Sequence, residues 1–315
     1  MQKLIITATY LCKWSFIIIM ITQFQIVPPL KYFSEIQLKS FKFGYLRLKS
    51  AGLLTLICLC FAFQVHGQVT QDTSFSHAIT NNALELLGVP YETGTLDRQD
   101  HEALIWYHNR FDCVTFIEYV LAKSLAETRK ANGNPLTFED YLTKLRYRNG
   151  IINGYGSRLH YFTEWVHQLA QSGYGSNITK SIGGIPYNKK INYMTRNQDK
   201  YPKLSDTTAY NMVANAEYKL QNIPLYYIPK NNIPVTASKI QNGDIIAITT
   251  NISGLDIVHT GFAIWQRNQL HLLHASSDKG IVMISKEPLA TYLAKHKSRS
   301  GIMVVRPEAR INQTN

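Results

Sequence analysis

The spacing of apolar residues divides this chain into a helical first half and a second half of strands. A period of three to four residues predicts helices over residues 74–87, 113–130, 137–148, 159–171 and 207–221. Short β-like runs follow at Leu225–Ile228, Asp244–Thr250, Val258–Trp265, Leu270–Ser276, Ile281–Ile284 and Ile302–Arg306. Helices followed by consecutive strands indicate an α+β fold with an antiparallel sheet, rather than alternating βαβ units.

Residues 173–203 interrupt this order, because they are rich in Gly, Asn, Lys and Tyr and show no clear period. We expect them to form a long loop beside a functional site. Neither an internal repeat nor a low-complexity linker occurs between Gln68 and Asn315. Residues 68–315 are therefore predicted to be a single catalytic domain.

Residues 1–67 have the layout of a targeting segment. Basic residues at 42, 47 and 49 precede an apolar run, Ala51–Phe63, and small residues then lead to an expected cut before Gln68. This pattern is typical of a secretory signal peptide, whose apolar core is too short to span a bilayer. We expect an exported, periplasmic protein without a permanent membrane anchor; secretion or membrane anchoring is the alternative.

A second apolar stretch, Leu4–Val27, lies upstream of this segment and is interrupted by Lys13. A signal peptide normally begins near the N-terminus, so the true translation start is expected farther downstream. A membrane-anchoring helix is the alternative interpretation. Neither Cys58 nor Cys60 follows a small-residue lipidation pattern, which argues against a lipoprotein.

Net charge follows the same division of the chain. The whole sequence carries +12, but seven of its 33 basic residues and one of its 21 acidic residues precede Gln68. The remainder is only mildly basic, and its basic residues are spread along the chain. Nucleic-acid binders concentrate such residues in a stripe or patch, so no nucleic-acid partner is expected. Attraction to an anionic polymer such as a bacterial cell wall is compatible with this charge.

Cys113 is the one cysteine that remains after the targeting segment. A lone thiol in an exported protein is a buried spectator, an intermolecular link or a reactive nucleophile. Asp112 suits the N-cap of the helix over 113–130, which places Cys113 in its first turn. The helix dipole there favours a thiolate and can lower a thiol pKa from about 8.5 toward 3.5–7.5. Asp112 opposes that effect if it faces the sulfur, so a histidine partner is still required.

His259 is the candidate base, because it shares a strand face with Gly261 and Ala263. We expect these small neighbours to leave room for the helix terminus that carries Cys113. A two-residue turn at Arg267–Asn268 would place His274 diagonal to His259 on the same face.

The same turn would direct His271 away from this face, as an ordinary surface histidine. A loop of odd length would reverse the assignments of His271 and His274. The predicted set, Cys113, His259 and His274, fits thiol hydrolases: nucleophile, base and orienting group. The backbone N–H of Cys113 and one further donor would stabilise the oxyanion.

Four segments together resemble the NlpC-type papain-like cysteine peptidases that cut bacterial peptidoglycan. They are Gly88-Val89-Pro90-Tyr91, Phe111-Asp112-Cys113-Val114-Thr115, Asn242-Gly243-Asp244 and the two histidine strands His259-Thr260-Gly261 and Leu273-His274-Ala275-Ser276. The resemblance implies a papain-like (NlpC-type) fold, with a helical N-terminal half on an antiparallel sheet. Thr115 departs from the Ser or Gly usual after the nucleophile. The chain between Cys113 and Gly243 is also far longer than in compact members, implying a large helical and loop insertion.

Two stretches of that insertion, Arg146–Gly150 and Tyr155–Trp165, together with Arg110–Thr115, resemble a specialised branch of N-acetylmuramoyl-L-alanine amidase-like proteins. The branch implies hydrolysis of the amide between N-acetylmuramic acid and L-alanine in soluble or 1,6-anhydro muropeptides. By position in the family, Tyr91 would supply the second oxyanion donor or orient the scissile group. Arg158, His160 and Tyr161 are candidate substrate contacts, since guanidinium suits carboxylates and aromatic rings suit sugars. Packing at a helix edge is the alternative for Tyr161.

Three other functions are alternatives to this prediction. A zinc amidase would need metal ligands, but His101-Glu102 followed by His108 lacks the helical His-Glu-x-x-His spacing. His160 and His167 share a helix face without an obvious third ligand, so we expect no metal or other cofactor. An endopeptidase cleaving between D-glutamate and the diamino acid would use the same attack chemistry. A catalytically inactive wall-binding module would retain the fold alone.

Overall fold

An antiparallel eight-stranded sheet organises residues 74–309, the part of the chain that the computed structural model describes. Its strands are β1 (Gly175–Asn177), β2 (Ile185–Pro186), β3 (Tyr226–Pro229), β4 (Ile245–Thr250), β5 (Ile257–Gln266), β6 (Gln269–Ser276), β7 (Ile281–Ile284) and β8 (Arg299–Pro307). They are ordered β2-β3-β8-β4-β5-β6-β7, and β1 pairs with β8. All six predicted strands are present, so the α+β class is confirmed.

The five predicted helices are also present, within three residues at each end. Within residues 74–309 the helices are α1 (74–84), α2 (Cys113–Lys130), α3 (Phe138–Arg146), α4 (Phe162–Gln171), α5 (Tyr193–Arg196), α6 (Thr207–Leu220), α7 (Ile233–Thr236) and α8 (Leu289–Ala294). The short helices α5, α7 and α8 were not predicted, since a single turn carries no clear period. None of the described helices is long and apolar enough to cross a bilayer.

The sheet is buried on both faces, which explains the continuous apolar run of its central strand. Along β4, Ile245 and Ala247 pack with α1 to α4, whereas Ile246 and Ile248 pack with α8 on the other face. Every residue of β4 is buried. Such a strand holds its neighbour β5 in fixed register, and β5 carries His259.

The segment between α2 and β4 has a small core of its own. Its buried residues are Tyr161, Ile191, Met194, Leu204, Ala209, Val213 and Leu220. The expectation of a long structureless loop over 173–203 was wrong, because this range contains β1, β2 and α5. β1 pairs with β8 and β2 with β3, so long-range backbone pairing supplies the order that local sequence lacks.

The predicted targeting segment, residues 1–67, lies outside the described residues. The proposed translation start, signal cleavage and lipidation pattern concern that segment, and they therefore remain predictions.

Candidate functional site

The sequence around Cys113 sets the start of helix α2. The Asp112 carboxylate accepts hydrogen bonds from the backbone N–H groups of Val114, at 3.0 Å, and Thr115, at 2.8 Å. In return, the Thr115 hydroxyl accepts one from the Asp112 N–H at 2.9 Å, completing a capping box. Thr115, the departure from the family pattern, therefore has a structural role. Cys113 becomes the first residue of the helix, and its N–H has no acceptor within the helix.

The Cys113 thiol is half-buried beneath β5. Backbone hydrogen bonds from Thr260, Cys113 and Val114 to the sulfur lower its pKa, but burial and the Asp112 charge outweigh them and raise it to about 12. The sequence analysis expected Asp112 to oppose the helix dipole, and in the free protein the charge of Asp112 does raise the thiol pKa. Because Thr260 directly follows His259, the sulfur lies against the backbone of the strand that carries the candidate base.

His259 and His274 are in direct contact. His259 Nε2 lies 2.7 Å from His274 Nδ1, and the two rings are nearly perpendicular at 87°. Burial lowers the pKa of His259 to about 3 and that of His274 to about 4, so both rings are neutral at pH 7. The contact uses Nε2 of His259 and leaves its Nδ1 available to receive a proton. For Nδ1 to accept the thiol proton, neutral His259 must carry its own proton on Nε2. That Nε2–H then donates a hydrogen bond to His274 Nδ1.

The hairpin register confirms the geometric choice between His274 and His271. Phe262 pairs with Leu273 and Ile264 with His271, as predicted for a two-residue turn. His271 points to the opposite face, but it is not a surface residue. It is 7% exposed, and its Nδ1 lies 2.9 Å from the Ser285 carbonyl oxygen. The expectation of an ordinary surface histidine was wrong, because the sheet is covered on both faces.

The small residues beside His259 have a different role from the one expected. The body of α2 packs on the other face of β5, where Phe116 meets Phe262 at 5.7 Å between ring centroids. A Cβ at Gly261 would lie 2.7 Å from the Cβ of His274. Gly261 therefore makes room for His274, not for the helix terminus.

A β-bulge aims the His259 side chain. Ile248 pairs with His259, but the next residue of β4, Thr249, pairs with Ile257, which leaves Val258 as an extra residue. Bulges of this kind bend the strand and redirect a side chain, often next to active sites. Val258 consequently packs on the α8 side of the sheet.

Tyr91 is held next to the nucleophile by backbone pairing. Its N–H donates to Gly280 at 2.8 Å, and Glu92 donates to the carbonyl of Phe111, two residues before Cys113, at 2.9 Å. Burial raises the pKa of Tyr91, and the neighbouring Cys113 and Asp112 raise it further. The hydroxyl is therefore a proton donor at neutral pH. The oxyanion role that the resemblance implies stays a prediction.

Arg158 does not present a free guanidinium. Its Nε donates to Glu102 at 2.6 Å and its Nη1 to Asp97 at 2.7 Å. Nη2 donates to the Leu96 carbonyl at 2.6 Å, and the residue is only 8% exposed. Because two protein carboxylates already neutralise the charge, the expected contact with substrate carboxylates is corrected. Arg158 instead fixes the segment that leads to α2.

Tyr161 and His160 also face the protein interior. Tyr161 is 2% exposed, donates its hydroxyl to Glu217 at 2.6 Å and accepts from the Met194 N–H at 2.8 Å. With no ring face open to a sugar, the expected contact is corrected to packing, the alternative that the helical spacing allowed. His160 Nε2 lies 2.9 Å from the Tyr155 carbonyl oxygen, and burial lowers its pKa to about 4. Its role as a substrate contact remains a prediction.

Two residues that the sequence did not indicate lie beside the histidine pair. The Tyr292 ring, on α8, lies 5.4 Å from the His274 ring between centroids. The Arg299 guanidinium, at the start of β8, lies 4.3 Å above the centre of the Tyr292 ring. Neither belongs to a motif, and only the sheet order brings β8 next to β4 and thus near β5. Within residues 74–309, no cluster of three or more His, Cys, Asp or Glu side chains suits a metal ion.

Comparison with known proteins places this geometry in a family. A family model described as N-acetylmuramoyl-L-alanine amidase-like matches residues 82–302, well over half of the chain. No curated protein sequence matches. The match includes the segment Gly88–Tyr91, helix α2, the insertion and both histidine strands.

Solved structures agree with this family. A structure of an N-acetylmuramoyl-L-alanine amidase from Bacteroides uniformis is 34% identical, with a TM-score of 0.69 over 75% of this chain and 99% of its own. A protein from Bacteroides fragilis, described as a candidate xylanase, is 37% identical, with a TM-score of 0.68 over 72% of this chain and 99% of its own. A Legionella pneumophila protein is 23% identical and shares the fold, with a TM-score of 0.56 over 78% of this chain and 96% of its own. The chain therefore belongs to the N-acetylmuramoyl-L-alanine amidase-like family, whose members are peptidoglycan hydrolases.

Proposed function

We propose that this protein is a cysteine amidase that releases the stem peptide from N-acetylmuramic acid in muropeptide fragments. The observation that carries the proposal is the contact between His259 on β5 and His274 on β6, because the backbone of β5 also contacts the Cys113 sulfur. This is the nucleophile, base and orienting group of a thiol hydrolase. We further propose that the fold is papain-like, of the NlpC type, and that export to the periplasm brings the protein to its substrate.

The reaction begins with transfer of the Cys113 proton to His259 Nδ1 as the sulfur attacks the lactyl carbonyl carbon of the muramic acid. The Cys113 N–H and the Tyr91 hydroxyl donate to the oxyanion. The resulting imidazolium gives its proton to the nitrogen of L-alanine, and the C–N bond breaks. Water then hydrolyses the thioester, with His259 again as base, and frees the muramic acid carboxylate and the thiol.

Substrate binding must supply the activation that the free protein lacks. With a thiol pKa of about 12 and a His259 pKa of about 3, the ion pair is strongly disfavoured before binding. Proton transfer coupled to attack avoids a free thiolate, because the negative charge passes directly to the oxyanion. His274 assists by accepting the Nε2–H of His259, which holds the reactive tautomer.

Glycoside hydrolysis, the activity suggested by the description of the Bacteroides fragilis relative, fits this site poorly. It requires two carboxyl groups placed about 5–10 Å apart around the bond. Asp112, the carboxylate beside the thiol, accepts two backbone N–H groups and the Thr115 hydroxyl. Its oxygens are therefore engaged in capping the helix, and it is not placed as an acid or a nucleophile.

Product analysis separates the amidase from its rivals. Purified protein is incubated with anhydro-muropeptides of known stem, and the products are identified by mass spectrometry, with a Cys113→Ala sample as the blank. The amidase gives a free stem peptide that begins with L-alanine and a sugar without any amino acid. Sugar-linked dipeptide would instead identify an endopeptidase, and unchanged substrate would identify an inactive binding module.

A further inference from the structure

Arg299 is a buried arginine that forms no ion pair with a carboxylate of residues 74–309. It is 9% exposed, and Tyr292 receives two of its hydrogen bonds, one at the carbonyl oxygen at 3.0 Å and a long one at the hydroxyl at 3.5 Å. Within the described part of the chain, no Asp or Glu lies within ion-pair distance of it. Three of the five donors on its guanidinium remain, enough for a planar, bidentate acceptor.

Two other buried arginines, Arg146 and Arg158, pair with carboxylates. Arg146 pairs with Glu118 at 2.8 Å, and both side chains are 4% exposed. Arg158 pairs with two carboxylates, as described above. Burying a charge without a counter-ion costs free energy of desolvation. Such a charge is kept only where another interaction offsets that cost. Arg299 therefore differs from Arg146 and Arg158, and we interpret it as a charge available to an anion that the described chain does not supply.

The position of Arg299 links this charge to the reaction site. Its guanidinium lies over the Tyr292 ring, and that ring contacts His274. The charge of Arg299 contributes to the low pKa of both His259 and His274, and Cys113 contributes to the raised pKa of Tyr292. The exposed Asp278 also acts on His274 and Tyr292, but it makes no ion pair with Arg299.

We propose that Arg299, positioned by Tyr292, binds the free carboxylate of the stem-peptide residue that follows L-alanine. The inference rests on the proposed amidase function. In the muramoyl-peptide the lactyl carboxyl is consumed in the scissile amide, so every free carboxylate lies on the stem side. The nearest one is the α-carboxylate of the second residue, a D-glutamate that is linked through its γ-carboxyl. A bidentate guanidinium suits this group.

Binding of this carboxylate would also prepare the site for attack. The imidazolium that forms on His259 during the reaction is opposed by the positive charge of Arg299. A substrate carboxylate neutralises that charge and so favours proton transfer from the thiol. Arg299 would in this way make activation depend on a substrate of the correct charge.

Two substrates that differ only at this carboxylate test the proposal. They are N-acetylmuramoyl-L-alanyl-γ-D-glutamic acid and its α-amide, in which D-isoglutamine replaces the D-glutamate. We expect the wild-type protein to favour the acid by about 10- to 100-fold in kcat/KM, the range of one charge-assisted hydrogen-bonding site. Arg299→Gln should bring the ratio of acid to amide close to one, and Arg299→Lys should retain part of the preference. Arg267→Gln, at the β5–β6 turn, removes the same charge far from His259 and should leave the ratio unchanged.

The ratio of kcat/KM for the acid to kcat/KM for the amide separates substrate recognition from folding. An unfolded fraction of the protein lowers both kcat/KM values equally and leaves their ratio unchanged. A wild-type protein that releases stem peptide from both substrates at equal kcat/KM would overturn the role of Arg299 and leave the amidase proposal intact. An unchanged preference in Arg299→Gln would overturn it as well. Failure to release an L-alanine stem from either substrate would instead count against the amidase function itself.

Discussion

Replacing Cys113 by alanine should lower kcat for muropeptide hydrolysis by about four to six orders of magnitude, the range found when a catalytic nucleophile is removed. No other cysteine occurs within residues 74–309 to take over the attack. The substituted side chain is small and only half-buried, and the capping bonds of Asp112 go to backbone groups and Thr115, which remain in place. Activity should therefore disappear while the helix stays intact.

Thermal unfolding and substrate binding provide the control for Cys113→Ala. We expect a loss in unfolding free energy of about 1 kcal/mol or less, as for other changes without a large cavity. Binding of the uncleaved muropeptide should persist. A purified Cys113→Ala protein that retains more than a small fraction of wild-type turnover would exclude thiol catalysis.

His259→Ala should be nearly as damaging as loss of the thiol, because no other base accepts the Cys113 proton. His274→Ala should lower kcat by only about two to three orders of magnitude, since it disturbs the orientation and tautomer of His259 rather than bond making. His271→Ala is the matched control on the same strand. Because His271 faces the other side of the sheet, it should lose stability and keep kcat. A larger kinetic defect in His271→Ala than in His274→Ala would refute the assignment.

The pH profile gives a second measurement on the same residues. His259 must be neutral to act as a base, and with a pKa of about 3 it stays neutral at all higher pH values. The Cys113 thiol, with a pKa of about 12, stays protonated up to high pH. We therefore expect kcat/KM, which reports on the free protein, to be flat from about pH 5 to 8. An acidic limb near the usual histidine pKa of about 6.5 would contradict this expectation, because it would show that the catalytic base becomes protonated below that pH.

Features set by neighbouring residues were predictable from the sequence. Helix α2 has the predicted bounds because Asp112 caps it and apolar residues recur at helical spacing. The register of β5 and β6 follows from the turn at Arg267–Asn268, whose residues both have positive φ, 48° and 61°, as the two-residue turns of tight hairpins require. That register predicts His274, rather than His271, as the orienting group beside His259.

Features that depend on distant parts of the chain were not predictable in the same way. The bulge at Val258 arises from pairing with β4 and has no local signal such as glycine. The thiol pKa depends on how deeply β5 covers Cys113, which outweighs the helix dipole.

The substrate-contact candidates show the same limitation. Arg158 and Tyr161 were chosen for their chemistry, but Glu102 and Glu217 occupy their polar groups. Arg299 has no local sequence signal, because only the order of the strands brings it near the site.

The most direct test of the central claim is the identity of the group that Cys113 carries during the reaction. Wild-type protein is mixed with excess anhydro-muropeptide, quenched in acid within the first turnover and analysed by intact-mass and peptide mass spectrometry. We predict a thioester on Cys113 whose mass corresponds to the muramyl moiety without any amino acid. Release of one equivalent of stem peptide with Cys113 unmodified, or an acyl group on Cys113 that contains alanine, would contradict the account.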